Sequence, residues 1–283
     1  MKKFSLFCIA IFLQVSSLSL AMHHNDEVRY TASAACGELK IFETRLTMKI
    51  FSEILRKNGF QTIKKLEILD SKIDPELLIR VPAGLEELSL NSVRDLFGNI
   101  LSIRDFLTNK DCLKDLKILS LKNQNVNDSE MPVIAEIGKI RKLDLFDNQI
   151  SVDGVVPFVQ IVLARNQGRM DIIARMASMF KNQNLNIDES RVREILGGIE
   201  DLSLGSNEIG EAGALSLSQM MGITSLDLSS NKIGDAGVNH ISQMIGVKNL
   251  NLSSNGIGES GARSLSRMNG ITSLDITRVS SFL

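Results

Sequence analysis

The sequence predicts an α/β solenoid, a stack of strand–coil–helix units whose short strands join into one parallel sheet. Three observations predict it. First, near-copies of a 24-residue unit follow one another: Leu202-Ser-Leu-Gly-Ser-Asn207-Glu-Ile209-Gly210, Leu226-Asp-Leu-Ser-Ser-Asn231-Lys-Ile233-Gly234 and Leu250-Asn-Leu-Ser-Ser-Asn255-Gly-Ile257-Gly258. Each continues through a Gly-x-x-x-(Leu/Ile)-Ser stretch and a Met, and a fourth copy opens at Leu274-Asp-Ile276. A fixed period of this length marks units that cannot bury their apolar face alone and must stack on neighbours. Second, leucines two apart, such as Leu226 and Leu228, project to one side of a strand while Ser225, Asp227 and Ser229 project to the other. Third, Asn148, Asn207, Asn231 and Asn255 recur where the chain must turn inward, and an amide there can satisfy backbone groups that no strand reaches.

Within each unit, Gly210, Gly234 and Gly258 suit a bend or close approach. Glu211, Asp235 and Glu259 place an acid in the first turn of each expected helix, where the helix dipole favours it. Leu217, Ile241 and Leu265, with Met220, Met244 and Met268, are expected to pack back on the leucine layer. With no Trp and a single Tyr (Tyr30), that core is aliphatic.

Taken from the N-terminus, residues 1–21 read as an export signal. Lys2 and Lys3 form a charged start, Phe4 to Val15 an apolar run, and Ser19-Leu20-Ala21 a cleavage site, with cleavage expected after Ala21. The run is shorter than the roughly 20 residues a membrane span requires. Cys8 lies too early for a lipoprotein, and Cys36 follows Ser-Ala-Ala rather than an apolar-led lipobox. Without Lys2 and Lys3, the 32 basic residues fall to 30 against 33 acidic, a balance that attracts neither nucleic acid nor an anionic membrane. Cys36 and Cys112 either pair in an oxidising compartment or serve as small buried apolar residues.

Residues 22–38 read as a leader carrying His23 and His24, and residues 39–283 as the repeat domain, degenerate over 39–201 and regular over 202–276. In the degenerate part, Leu39-Lys-Ile41, Leu66-Glu-Ile68, Leu88-Ser-Leu90, Leu119-Ser-Leu121 and Leu143-Asp-Leu145 mark successive strands. Gln124 stands where Asn is expected, and Leu46, Ile50, Ile54 and Leu55 give the first helical pattern. Between Leu143 and Leu202 the frame is obscured by an insertion. Its apolar spacing predicts an enlarged convex helix, and Met170-Asp-Ile172 is a candidate for one more strand. At the other end Val279 replaces the repeat Asn, and Phe282 and Leu283 are placed to fold over the last leucines.

The pattern LxLxxNxIGxxGAxxLS over 202–276, and partly over 116–150, resembles leucine-rich repeats of the ribonuclease-inhibitor type. Gly213-Ala-Leu-Ser-Leu-Ser218 and Gly261-Ala-Arg-Ser-Leu-Ser266 are similar to the GALA-type repeats of secreted bacterial effectors. The resemblance implies a horseshoe with the parallel sheet concave and the helices convex, and protein binding as the activity. GALA-type effectors also carry an F-box. Met48–Leu55 is the segment to compare, although the usual Leu-Pro opening is missing and the first repeat accounts for the same residues.

Catalysis needs a nucleophile with a base, paired carboxylates or metal ligands brought together. The sequence offers no phosphate-cradling glycine loop, zinc-spaced Cys/His set or nucleophile elbow. His240 occupies the helix position of Ser216 and Ser264, a solvated site, and Asp227, Asn251 and Asp275 form a polar row. No enzyme activity, cofactor or metal is therefore expected. The strand positions flanking the leucines would line the concave face: Glu87, Ser89, Asn91; Ile118, Ser120, Lys122; Lys142, Asp144, Phe146; Asp201, Ser203, Gly205; Ser225, Asp227, Ser229. Ile118, Ser120, Lys122, Lys142, Asp144 and Phe146 are the expected binding patch, an aromatic among charges. The expected protein is exported, secreted or periplasmic, of bacterial origin, and binds a protein that could belong to a host. The alternatives are an F-box effector and an array that self-associates at its C-terminal edge.

Overall fold

The computed structural model describes residues 20–24, 28–33, 36–57, 62–79, 84–101, 103–107, 113–181 and 198–277. Residues 1–19, Cys112, Val279, Phe282 and Leu283 lie outside them. One 11-stranded sheet runs through the molecule in chain order: β1 (Leu20–His24), β2 (Val28–Ser33), β3 (Glu38–Phe42), β5 (Lys65–Leu69), β7 (Glu87–Asn91), β9 (Ile118–Lys122), β10 (Lys142–Asp144), β11 (Asp201–Ser203), β12 (Ser225–Asp227), β13 (Asn249–Asn251) and β14 (Ser273–Asp275). From β3 onward every pair is parallel, and the register joins the first leucine of each rung, Leu39 to Leu66 to Leu88 to Leu119 to Leu143 to Leu202 to Leu226 to Leu250 to Leu274. A second sheet of β4 (Arg45–Leu46), β6 (Lys72–Ile73) and β8 (Arg94–Asp95) follows the first three parallel strands. The helices are α1 (Met48–Lys57), α2 (Glu76–Ile79), α3 (Arg104–Leu107), α4 (Met131–Ala135), α5 (Val152–Lys181), α6 (Gly210–Leu217), α7 (Gly234–Ile241) and α8 (Glu259–Leu265).

The core lies between sheet and helices, and its residues come from the expected positions. Leu217, Ile241, Leu265, Met220 and Met244 are buried against the strand leucines, and Met268 packs against the same cluster. Phe51, Phe106 and Phe158 are buried among the aliphatic side chains. Truncating one such leucine to Ala would cost about 2–5 kcal/mol through lost burial and the cavity left behind. Glu211, Asp235 and Glu259 do sit in first helical turns. Gly213 is small because Ile209 packs onto it: a Cβ there would meet Ile209 Cγ2 at 2.3 Å.

The repeat asparagines form a ladder through the interior of the turns. Asn231 donates from Nδ2 to the carbonyls of Leu204, Leu228 and Ser229, and its Oδ1 accepts from Ile209 N. Asn255, Asn207 and Asn148 repeat this scheme one rung on or back. Each amide thus ties its own strand end to the preceding rung. The ladder also accounts for a strained neighbour, since Asp147, Ser206, Ser230 and Ser254, each just before the Asn, have positive φ. A left-handed non-glycine residue costs about 1–2 kcal/mol, and the amide bonds offset it. Gln124 does the same work with a longer arm. It is buried, accepts from Val93 N at 2.6 Å and donates to Val93 O at 3.1 Å.

Three expectations are corrected. Met170-Asp-Ile172 is not a strand; it lies in the 30-residue helix α5, and β10 pairs directly with β11. The described part of the insertion is thus the helix α5, held to the core by Val155, Phe158, Val159 and Val162 on one buried stripe. Arg165 of α5 reaches α4 and donates to the carbonyls of Ala135, Ile137 and Gly138, closing that helix end with a cation. Ahead of the repeats, β1 and β2 form an antiparallel cap on β3, with Tyr30 and Ala32 of β2 buried, and β1 includes Ala21, His23 and His24. Cys36 is exposed rather than buried, because it stands in the turn joining β2 to β3. Gly258 is extended (φ −102°), unlike Gly210 and Gly234 at φ +63° and +64°, and its N–H bonds Asp235 Oδ1 at 2.7 Å.

Candidate functional site

The residues flanking the strand leucines share one face of the sheet, and their character changes along it. In the N-terminal half opposite charges neighbour each other across strands: Lys40 bonds Glu67 at 3.1 Å and Lys65 bonds Glu87 at 3.1 Å. The bond that Lys65 donates to Glu87 holds its ammonium above the usual 10.5. In the C-terminal rungs the same positions are Ser225, Asp227 and Ser229, then Asn249, Asn251 and Ser253. Ion pairs this exposed are worth about 0.2–1 kcal/mol each. Their main effect is to fix side-chain positions on the face.

The expected patch is brought together at β9 and β10. The register sets Ile118 beside Lys142 and Ser120 beside Asp144. Lys122 Nζ lies 2.9 Å from Asp144 Oδ2, and Lys142 Nζ lies 2.7 Å from Asp201 Oδ2. The hydrogen bond that Lys142 donates to Asp201 leads the causes that keep its ammonium above 10.5, against a smaller opposing effect of burial. Asp144 is buried, and its Oδ1 also accepts from Phe146 N at 3.3 Å.

Phe146 is half-buried rather than free-standing. Its ring covers Gly205 of the next rung: a Cβ built on Gly205 would lie 2.7 Å from Cδ2 and from Cε2 of the ring, and 2.6 Å from Ser229 Oγ. The sister rungs carry Ser229 and Ser253 at this position. The change to glycine is what lets the ring lie down across the strand. This contact exists because the insertion leaves β10 and β11 adjacent. The glycine in place of serine was the available sign of it in the sequence.

The remaining candidates fall elsewhere. Asp227, Asn251 and Asp275 do stand in one row. Each spends an oxygen on the backbone two residues on, at Ser229 N, Ser253 N and Thr277 N. These bonds turn the chain out of the strand, and the Thr277 N–H holds the Asp275 carboxyl below its usual 3.8. Among the described residues no group of His, Cys, Asp and Glu is arranged to hold a metal ion. His240 is half-buried in the last turn of α7. Two apolar residues of this face escape a reading that starts at Glu87. Phe42 and Leu69, half-buried and paired in register, hold the same strand position as Asn91 and Lys122. The residue following each strand's second core position was the signal.

Residues 139–159, 222–241 and 247–266 match the family described as Leucine Rich repeat. The crystal structure of internalin C2 from Listeria monocytogenes str. 4b F2365 has the same fold, with a TM-score of 0.52 at 18% identity over 87% of this chain and 85% of that one. No curated protein sequence matches the chain. Among the described residues no helix is long and apolar enough to cross a membrane. The matched repeats, the register of leucines and the internalin fold together identify the chain as a leucine-rich-repeat protein.

Proposed function

We propose that this is an exported, non-enzymatic protein that binds another protein on the strand face of its solenoid, with Phe146 as anchor. The observation that supports it most is the seating of Phe146 over Gly205, just past a strand whose Lys142 and Asp144 are both held in ion pairs. An aromatic held in one position gives up little conformational freedom on binding, and it offers a large apolar surface beside polar groups. Ile118 and Ser120 extend the patch across β9, and Lys122, Lys142 and Asp144 form its polar surround. Export rests on residues 1–21, and secretion or a periplasmic location follows from it. The test is affinity capture from periplasm, medium and host lysate, followed by titration of the purified partner. Phe146→Ala should weaken binding by about 2 kcal/mol, the threshold for an interface hot spot. Unchanged affinity would place the binding site elsewhere.

A second reading, self-association at the last rung, has its own support. Leu274 of β14 is 42% exposed, whereas Leu226 and Leu250 are each 2% exposed. Sedimentation at several concentrations tests it, and a strict monomer refutes it. The F-box reading has less support, because Phe51 and Ile54 of α1 are buried in the solenoid core.

A further inference from the structure

The second sheet breaks the charge rule of the first. On the main sheet, Glu38, Lys65 and Glu87 alternate in register, as do Lys142 and Asp201. On β4, β6 and β8 the register instead sets Arg45 beside Lys72 and Lys72 beside Arg94, all three exposed. Like charges directly opposite one another on neighbouring strands repel. No ion pair with a described acid relieves them; the Arg94 guanidinium donates to a neutral carbonyl, Gly98 O, at 3.1 Å. A chain with 33 acidic residues has acids available for pairing, so this row of cations stands out as open to an outside anion.

Beside the row stands a rigid loop with a phenylalanine at its tip. Arg94 and Ile100 bridge antiparallel, Gly98 N bonds Asp95 O and Asp95 N bonds Asn99 O. Inside the loop, the Asp95 carboxylate accepts from Phe97 N, Asn99 N and Asn99 Nδ2, each at 2.9 Å. Gly98 takes φ +95°, and a Cβ on it would lie 3.6 Å from Lys72 Nζ, so the cation row abuts the loop. Phe97 is 91% exposed. A lone exposed apolar side chain is ordinary on a protein surface. This one is fixed by a loop whose only carboxylate is spent within the loop, and it stands at the end of an unpaired cation row.

We propose that Arg45, Lys72, Arg94 and Phe97 form a second binding surface, separate from the Phe146 patch, for an extended acidic peptide segment bearing an apolar side chain. With strands about 4.8 Å apart the three cations span about 10 Å, enough to meet successive acids of an extended peptide. The row is narrow and bordered by acids: Glu43 and Asp70 lie two residues before Arg45 and Lys72, and Asp74 two residues after Lys72. A flat anionic bilayer would press against those carboxylates, whereas a single peptide strand can follow the cations between them. That geometry favours a peptide over a lipid surface.

The test uses the full chain and a library of short synthetic peptides, one pool rich in Asp and Glu with apolar positions and one rich in Lys and Arg, and titrates enriched peptides by fluorescence anisotropy. The acidic pool should be enriched, and binding should weaken with added salt. Lys72→Glu and Phe97→Ser, both at exposed positions, should each weaken it about tenfold or more, while Lys248→Glu, at an exposed position just before β13, leaves it unchanged. Circular dichroism confirms that each variant is folded. Equal enrichment of both pools overturns the proposal, as does acidic-peptide binding indifferent to Lys72→Glu. Sedimentation with phosphatidylserine vesicles that depends on Lys72 and Phe97, without peptide binding, also overturns it in favour of a membrane surface.

Discussion

Replacing Asn231 by Ala tests how the turns of this solenoid are held. The side chain is fully buried and donates to the carbonyls of Leu204, Leu228 and Ser229. Those acceptors keep other donors after truncation: Leu204 O still receives Asn207 Nδ2, Leu228 O receives Asn255 Nδ2 and Ser229 O receives Ser206 N. What is left orphaned is Ile209 N, whose bond is to Asn231 Oδ1. An orphaned buried N–H costs about 1–3 kcal/mol, and the loss of the amide's two N–H donors, shared among the three carbonyls, costs about 0.5–1.5 kcal/mol each. The sum is about 2–6 kcal/mol. Urea unfolding followed by circular dichroism measures it, with the slope of the transition reporting whether the repeats still unfold together. Asn231→Asp should be at least as damaging, since an acceptor would then face three carbonyls. A loss below about 0.5 kcal/mol for Asn231→Ala, within the range of a surface substitution, would refute the ladder as a source of stability.

Other predictions concern the site, the insertion and pH. Gly205→Ala should displace the Phe146 ring, since the new Cβ would lie 2.7 Å from it; stability should fall by about 1–3 kcal/mol and recover in a Phe146→Ala background, as read by a double-mutant cycle. Arg165→Met removes the cation donating to Ala135 O, Ile137 O and Gly138 O and should cost about 1.5–3 kcal/mol; hydrogen exchange should quicken in α4 before other elements. The carboxyls of Glu86, Asp95, Asp115 and Asp275 are held below their usual 4.5 or 3.8, Glu86 by Lys117, Asp95 by Asn99, Asp115 by Lys139 and Asp275 by Thr277. Groups lowered on folding favour the native state above their unfolded values, and this contribution is lost as pH falls through the lowered ones. Thermal midpoints should therefore hold near neutrality and decline below about pH 4, and a midpoint that rose on acidification would contradict these pairings.

The rungs were legible because the leucine spacing and the repeat Asn act together, and each demands the same turn. Even Gln124 follows from this, since a longer amide still reaches the preceding rung. The insertion was harder. Met170-Asp-Ile172 has the apolar–polar–apolar form of a strand, but three residues cannot distinguish a period of 2 from one face of a long helix. The alternation of Val28, Tyr30 and Ala32 carries a strand signal that reading residues 22–38 as a leader passes over. Strands of two residues, as in β4, β6 and β8, leave no periodic trace, so the alignment of Arg45, Lys72 and Arg94 emerges only from the register. At the candidate patch the residue types were readable. The seating of Phe146 depends on which strand follows β10, and the chain between Leu143 and Leu202 does not announce that.

The continuity of the sheet across that insertion is therefore the claim on which the patch depends, and one cross-link tests it. Asp144 and Ser203 are register partners on adjacent strands. Neighbouring strands lie about 4.8 Å apart, and a disulfide requires Cα atoms within about 7 Å. With Cys36 and Cys112 replaced by Ser, the pair Asp144→Cys and Ser203→Cys should form a disulfide on mild oxidation, identified by peptide mass mapping. If an extra strand lay between β10 and β11, the two positions would stand about 9.6 Å apart. No bond would then form, and that result would contradict the account.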